Sequence, residues 1–304
     1  APVLDTTGSM GGQRIAALRE AASDLVNTVV RTEQSPYYSK VALVNYSTGV
    51  NLGGYATQAR GPITPGRSLS AQPLNWLVTT TRTITSIAKA GSCSSSNCRL
   101  TVTSNNHGYQ NGERVYITGV NGMTQVNNTV FTVANRSTNA FELRNSADTG
   151  WVNGSSYGNY SSSGQLRACR TATCEVVFTA NNHGFGANDY IYVTGVGGMS
   201  GSPAINNPNP VNVNDPALWQ VGTVLDANTF SLKGSFAPNY SNYTSGGTAY
   251  CLERGCEFVR FVNTSNRVRV LPITNCVSER TGAERYTDVA PSTSYVGRNY
   301  ARPQ

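Results

Sequence analysis

An aspartate, a threonine and a serine alternate at positions 5, 7 and 9 in the opening stretch VLDTTGSMGG. If the chain stays extended there, Asp5, Thr7 and Ser9 present one carboxylate and two hydroxyls on a single face. Such oxygen donors suit a hard divalent cation. Mg²⁺ keeps several of its waters and asks for few protein groups; Mn²⁺ and Ca²⁺ are the alternatives. The competing reading is a helix cap, because Ser, Thr and Asp ahead of a helix accept backbone N–H bonds.

The cysteines form a second pattern. Cys93/Cys98, Cys169/Cys174 and Cys251/Cys256 are each C-x4-C, and Cys276 is left unpaired. Three short pairs at similar intervals predict local disulfides and an oxidising compartment. Zinc is the alternative, although C-x4-C is wider than the usual knuckle and the two histidines lie elsewhere. His107 and His183 occupy equivalent NNHG stretches. They are expected to be turn residues that bond locally, since no nucleophile or base stands beside them in sequence. No enzyme activity is expected.

Composition narrows the classes. The 304 residues carry a net charge of +7, yet only 13% are charged, and no run of like charges forms the basic stripe that nucleic-acid binding wants. Asn, Ser, Thr, Gly and Tyr fill the surface instead, as in extracellular β-rich proteins. No stretch is long and apolar enough for a membrane span.

Those groups must be positioned by the elements around them. CSSSNCRLTVTSNNHGYQNGERVYITGVNGM begins at Cys93, and CRTATCEVVFTANNHGFGANDYIYVTGVGGM begins at Cys169, 76 residues later. Alternation in RVYITGV and YIYVTGV predicts half-buried strands, and the Asn/Gly positions predict turns. Each copy therefore reads as a small antiparallel β-module closed by its C-x4-C. The second carries a proline- and asparagine-rich insertion, SPAINNPNPVNVNDPALWQ, expected to be a surface loop. Tyrosines in WVNGSSYGNY and FAPNYSNYTSGG either line a glycan-binding face, since rings stack on sugars, or finish the module against its neighbour.

Residues 1–53 follow another period. Ile15, Leu18, Ala22, Leu25, Val26 and Val29 recur at helical spacing. KVALVNYSTGVNLG then gives a buried strand, a turn and a short return strand. Strand, helix, strand opens an α/β open sheet. The expected organisation is residues 1–78 as the α/β part with its linker, 79–168 and 169–250 as β-modules, and 251–304 as a return segment.

Several stretches carry a resemblance. Asp5-x-Thr7-x-Ser9 between strand and helix resembles the metal-ion-dependent adhesion site of von Willebrand factor A domains. Together with KVALVNYSTGVNLG and RVLPITNCVSERTGAERYTDVAPSTSYVGRNY, it is similar to the TadG-like proteins of bacterial Tad/Flp pilus systems, over roughly residues 1–60 and 265–304. The repeats look like the FCCH-type module of ubiquitin-activating enzymes and phage tail proteins, without the parts that would do ubiquitin chemistry. The resemblance implies a partial von Willebrand A, Rossmann-like open sheet with a large all-β insertion of two or three disulfide-closed modules. It also implies a Mg²⁺ site completed by a partner's carboxylate. The family takes a further Thr and Asp from later loops, and these are missing here. SGGTAY at 245–250 aligns with a repeat tail instead. The expectation is a fragment, a processed product or one piece of a larger assembly.

Two functions follow. The first is a bacterial surface or pilus-associated adhesion and assembly protein, extracellular with the periplasm as the alternative. It would bind a protein or cell-surface ligand, or other pilus components, through the metal. The second is a structural subunit of an extracellular fibre, assembled through module and sheet edges by self-association or by a second chain, without metal.

Overall fold

The computed structural model describes residues 2–46, 50–91, 93, 98–253, 255–277 and 298–300. It divides into two compact units. One comprises residues 1–65, 211–215 and 252–304; the other comprises 66–210 and 216–251.

In the first unit the helix Gln13–Val29 forms where the apolar spacing predicts it. Val3–Asp5 and Val44–Tyr46 pair in parallel on either side of it in sequence, Val3 opposite Val44. Among the described residues the expected open α/β sheet goes no further, and the fold class is corrected: they are mostly β, 37% in strands and 12% helical, in antiparallel sheets. Two three-residue strands cannot cover a seventeen-residue helix, and no residue of that helix is buried. Val44 is 42% exposed, although its apolar run reads as a core strand. Val50–Asn51 does not return onto Val44–Tyr46 but pairs with Val268–Val277. That long strand also pairs with Phe258–Val262 and Arg298–Tyr300 in an antiparallel sheet. The third cysteine pair thus leads into a hairpin rather than a third module. The turn at residues 47–49 and the ERTGAERYTD stretch of the resemblance lie outside the described residues.

The second unit holds the two modules, built alike. Seven antiparallel strands make the first, in the order Arg82–Thr83, Gln165–Ala168, Arg114–Thr118, Thr129–Ala134, Ala140–Asn145, Arg99–Thr103, Ser86–Ala90. The alternation read from sequence is the burial pattern: Leu100, Val102, Val115 and Ile117 point inward and are inaccessible to solvent, packed with Phe141, Leu143 and Leu166. Burying each such side chain stabilises by about 1.5–3 kcal/mol.

The outermost strands of that order, Arg82–Thr83 and Ser86–Ala90, are separated in sequence by Ile84 and Thr85 alone. The sheet therefore curls until its edges meet on one segment. Ile84 N–H donates to Gly164 O at 2.9 Å on one side, and Thr85 N–H donates to Thr103 O at 2.9 Å on the other.

The second module repeats this closure with a strand from elsewhere. Its order is Val177–Thr179, Thr229–Leu232, Trp219–Asp226, Tyr190–Gly198, Tyr243–Cys251, Arg67–Ser68. Leu69 N–H donates to Gly247 O at 2.9 Å, and Ser70 N–H donates to Thr179 O at 2.9 Å, matching Ile84 and Thr85. Arg67-Ser68-Leu69-Ser70 corresponds to Arg82-Thr83-Ile84-Thr85, and Leu69 and Ile84 are both buried. At each closure a glycine lets the strands approach. Gly164 and Gly247 have φ of 117° and 106°, and a Cβ there would lie 2.7 Å from Val120 or Val196. The strand closing the second module thus precedes the whole first module, which is nested inside it. Residues 66–78, read from sequence as a linker of the N-terminal part, belong to this unit.

Leu69→Ala is expected to cost about 2–4 kcal/mol. In hydrogen exchange it should deprotect amides in residues 177–179 and 245–249, more than a hundred positions away, while leaving 114–118 protected.

Candidate functional site

Asp5 ends its strand, and its carboxylate turns back locally: Thr7 N–H donates to Asp5 Oδ1 at 2.8 Å. That bond, with a side-chain bond from Thr7, holds the Asp5 carboxyl below its ordinary value. Thr7 Oγ1 and Ser9 Oγ lie 3.0 Å apart. The helix begins beyond them, with Gly12 at its N-cap and no side-chain cap, so Thr7 and Ser9 are not its caps. Two oxygens on adjacent vertices of a Mg²⁺ octahedron, each about 2.1 Å from the ion, stand about 3.0 Å apart. The Thr7–Ser9 distance, which is that of a hydroxyl–hydroxyl hydrogen bond, matches two such vertices, while Asp5 Oδ1 is engaged by the Thr7 N–H. Among the described residues no cluster of three or more His, Cys, Asp or Glu side chains occurs.

The cysteines are spoken for. Cys93 is bonded to Cys98 and Cys169 to Cys174. Cys251 and Cys256 are disulfide-bonded too, and Cys276 is free and half-buried.

The two histidines are built into turns. Tyr109 N–H donates to His107 Nδ1 at 3.0 Å, and Phe185 N–H donates to His183 Nδ1 at 2.9 Å. His183 Nε2 lies 3.1 Å from the carbonyl of Asp226, so that nitrogen carries the proton and donates. Each ring meets a core phenylalanine edge-on, Phe141 or Phe230. Both are buried and hold backbone N–H groups that would otherwise lose their partners.

The tyrosine-rich tails divide. Tyr157 and Tyr160 pack against the core of the first module, and Trp151 lies under the guanidinium groups of Arg99 and Arg144. Tyr240 and Tyr243 instead line a cleft of about 260 Å³. The segment running on from the closing strand supplies Gln72, Leu74 and Trp76; the first module supplies Tyr116 and Asn128. Sequence reasoning reached only the two tyrosines, because the cleft joins stretches more than a hundred residues apart. Its sequence signal is the echo of RSLS in RTIT fifteen residues on, which marks the segment before the first module as belonging to both.

Residues 96–170 match the family model of the ubiquitin-activating enzyme E1 FCCH domain. The match takes in most of the first module, including its strands from Arg99–Thr103 to Gln165–Ala168, and stops at Arg170. No curated protein matches the chain. Neither comparison supports kinship with von Willebrand A or TadG-like proteins.

One position separates the modules energetically. The Tyr109 hydroxyl is buried without a hydrogen-bond partner among the described residues, and burial pushes its pKa up to about 12. The second module has Phe185 in its place. Tyr109→Phe is therefore expected to stabilise by about 1 kcal/mol. An unfolded tyrosine ionises near pH 10 while the folded one stays neutral to about 12. The wild type's contribution from this group is full below pH 10 and lost as pH rises to 12, and the variant should lack that slope in denaturant melts. His183→Leu should cost about 2 kcal/mol in the same assay, the Phe185 N–H being left unpaired.

Proposed function

We propose that the chain is an exported adhesion and assembly protein of a bacterial surface, whose nested β-modules form a braced recognition body. The observation that carries this is the topology of the second unit. The chain comes into it on Arg67–Ser68 and leaves it on Tyr243–Cys251, and these strands are antiparallel neighbours with Ser68 opposite Thr248. The chain between, apart from residues 211–215 of the other unit and with the whole first module included, is held on that paired base. Each module is also cross-linked by its own cystine, which limits fraying and suits an oxidising, extracellular setting. A polar surface with little charge fits that setting, and no helix among the described residues is long and apolar enough to cross a membrane.

The oxygen donors of Asp5, Thr7 and Ser9 beside one another at a strand end motivate a second reading, in which contact with the partner depends on metal. Asp5, Thr7 and Ser9 would hold Mg²⁺, or Mn²⁺ or Ca²⁺, and a carboxylate from a protein ligand or pilus component would complete the shell. Of the TadG-like resemblance, this reading uses only the Asp5-x-Thr7-x-Ser9 motif. The fibre-subunit reading differs from both in needing neither ligand nor metal, only exposed strand edges.

Binding of the purified chain to bacterial and host cell surfaces, with and without chelator, separates the three. Recognition by the modules predicts binding that survives chelation and Asp5→Ala. Metal-dependent adhesion predicts loss in both. Polymerisation of the chain alone, with no surface binding, would contradict the recognition reading.

A further inference from the structure

The cleft at the joint of the two modules has a chemistry that singles out one class of ligand. None of the side chains lining it is charged, although the chain is arginine-rich. That selects against anions and cations alike. Its wall is aromatic: Trp76 meets Tyr116 edge-on at 5.2 Å, with Tyr240 and Tyr243 beside them.

Two of these rings are fixed through their hydroxyls. Tyr240 Oη donates to Pro203 O at 2.7 Å, and Tyr243 Oη lies 3.0 Å from Gly246 O and 3.2 Å from Leu69 O. Rings held in this way lose little freedom when a ligand stacks on them.

Around the rings stand amides with spare capacity. Tyr116 Oη donates to Asn128 Oδ1 at 3.2 Å, which leaves the Asn128 NH₂ as a donor. The Gln72 and Asn242 side chains are exposed and make no hydrogen bond to the described protein.

The backbone around the cleft is strained. Leu74, Asn128 and Met199 line it with φ of 57°, 58° and 49°. Among the described non-glycine residues at positive φ, only Leu74, Ser163, Cys174 and Met199 are neither Asn nor Asp, and two of those four are here. Bulky side chains in that region are genuine outliers and gather at ligand sites.

We infer that this cleft binds a neutral saccharide. Aromatic faces take the apolar face of a sugar ring, amides take its hydroxyls, and neither needs a charge. At about 260 Å³ the cleft suits a ring-sized ligand rather than a folded partner. The inference rests on the recognition reading and names its ligand class.

The test is binding of the full oxidised chain to an array of neutral glycans, acidic glycans and a proline-rich peptide, in the presence of chelator. Asn242→Ala and Gln72→Ala are exposed substitutions, and unchanged melting curves would show them folded. The expected result is binding of neutral glycans alone, weakened about tenfold by each variant. Capture of the peptide or of acidic glycans only, no glycan binding by the folded wild type, or binding indifferent to both variants would overturn the inference. Binding to cell surfaces that ignores the cleft variants would sink the saccharide and spare the recognition reading. Glycan binding without any surface binding would do the reverse.

Discussion

The pairing of residues 67–70 with two strands of the second module is the contact on which the rest of the second unit depends. It puts a buried leucine under Gly247, ties Val177–Thr179 to Tyr243–Cys251 and closes a sheet that would otherwise present two raw edges. Open edges of this kind invite pairing with other chains. The closing strand comes from ahead of the first module, so the two modules are bound into one unit by connectivity as well as packing. The loop it closes is long, with Ser70 and Thr179 over a hundred residues apart, but the entropy of closure grows only logarithmically with length. The first module spans most of that loop and shortens its flexible part once folded.

The same segment makes the cleft. Having closed the second module at Ser70, the chain runs on through Gln72 and Leu74 to Trp76, which packs on Tyr116 of the first module. One strap therefore seals a barrel, forms a wall of the joint and hands the chain to the next closing strand at Arg82. The shape of the cleft and the stability of the second module are coupled through it. A ligand there would be read by both modules at once.

Much of this was legible in the residues. The C-x4-C pairs are the cystines, the NNHG turns are turns, and the alternation in RVYITGV lines up with burial. The helix at 13–29 follows its periodicity. What local pattern could not convey was coverage. VLD, an amphipathic helix and KVALVNY have the signature of an α/β sheet, but whether Val44 is buried depends on strands that must come from elsewhere. Among the described residues only one pair of strands runs parallel. The closing strands were also out of reach for a reading based on long periodic runs, because RSLS and RTIT are four residues each and meet partners from both ends of their modules. At the cleft, FAPNYSNYTSGG supplies Tyr240 and Tyr243, while Tyr157 and Tyr160 of WVNGSSYGNY pack on their own core. Sequence alone cannot tell which of two similar tails faces a neighbour.

The central claim is that a strand preceding the first module completes the second within one chain. Ser68 and Thr248 are directly opposed, so cysteines introduced at both positions test it most directly. The expected product of mild oxidation is a monomer in which peptides containing residues 68 and 248 are joined, as read by mass spectrometry after proteolysis, with melting raised over the reduced form. Cross-links that form only between chains, or not at all in the folded protein, would contradict it.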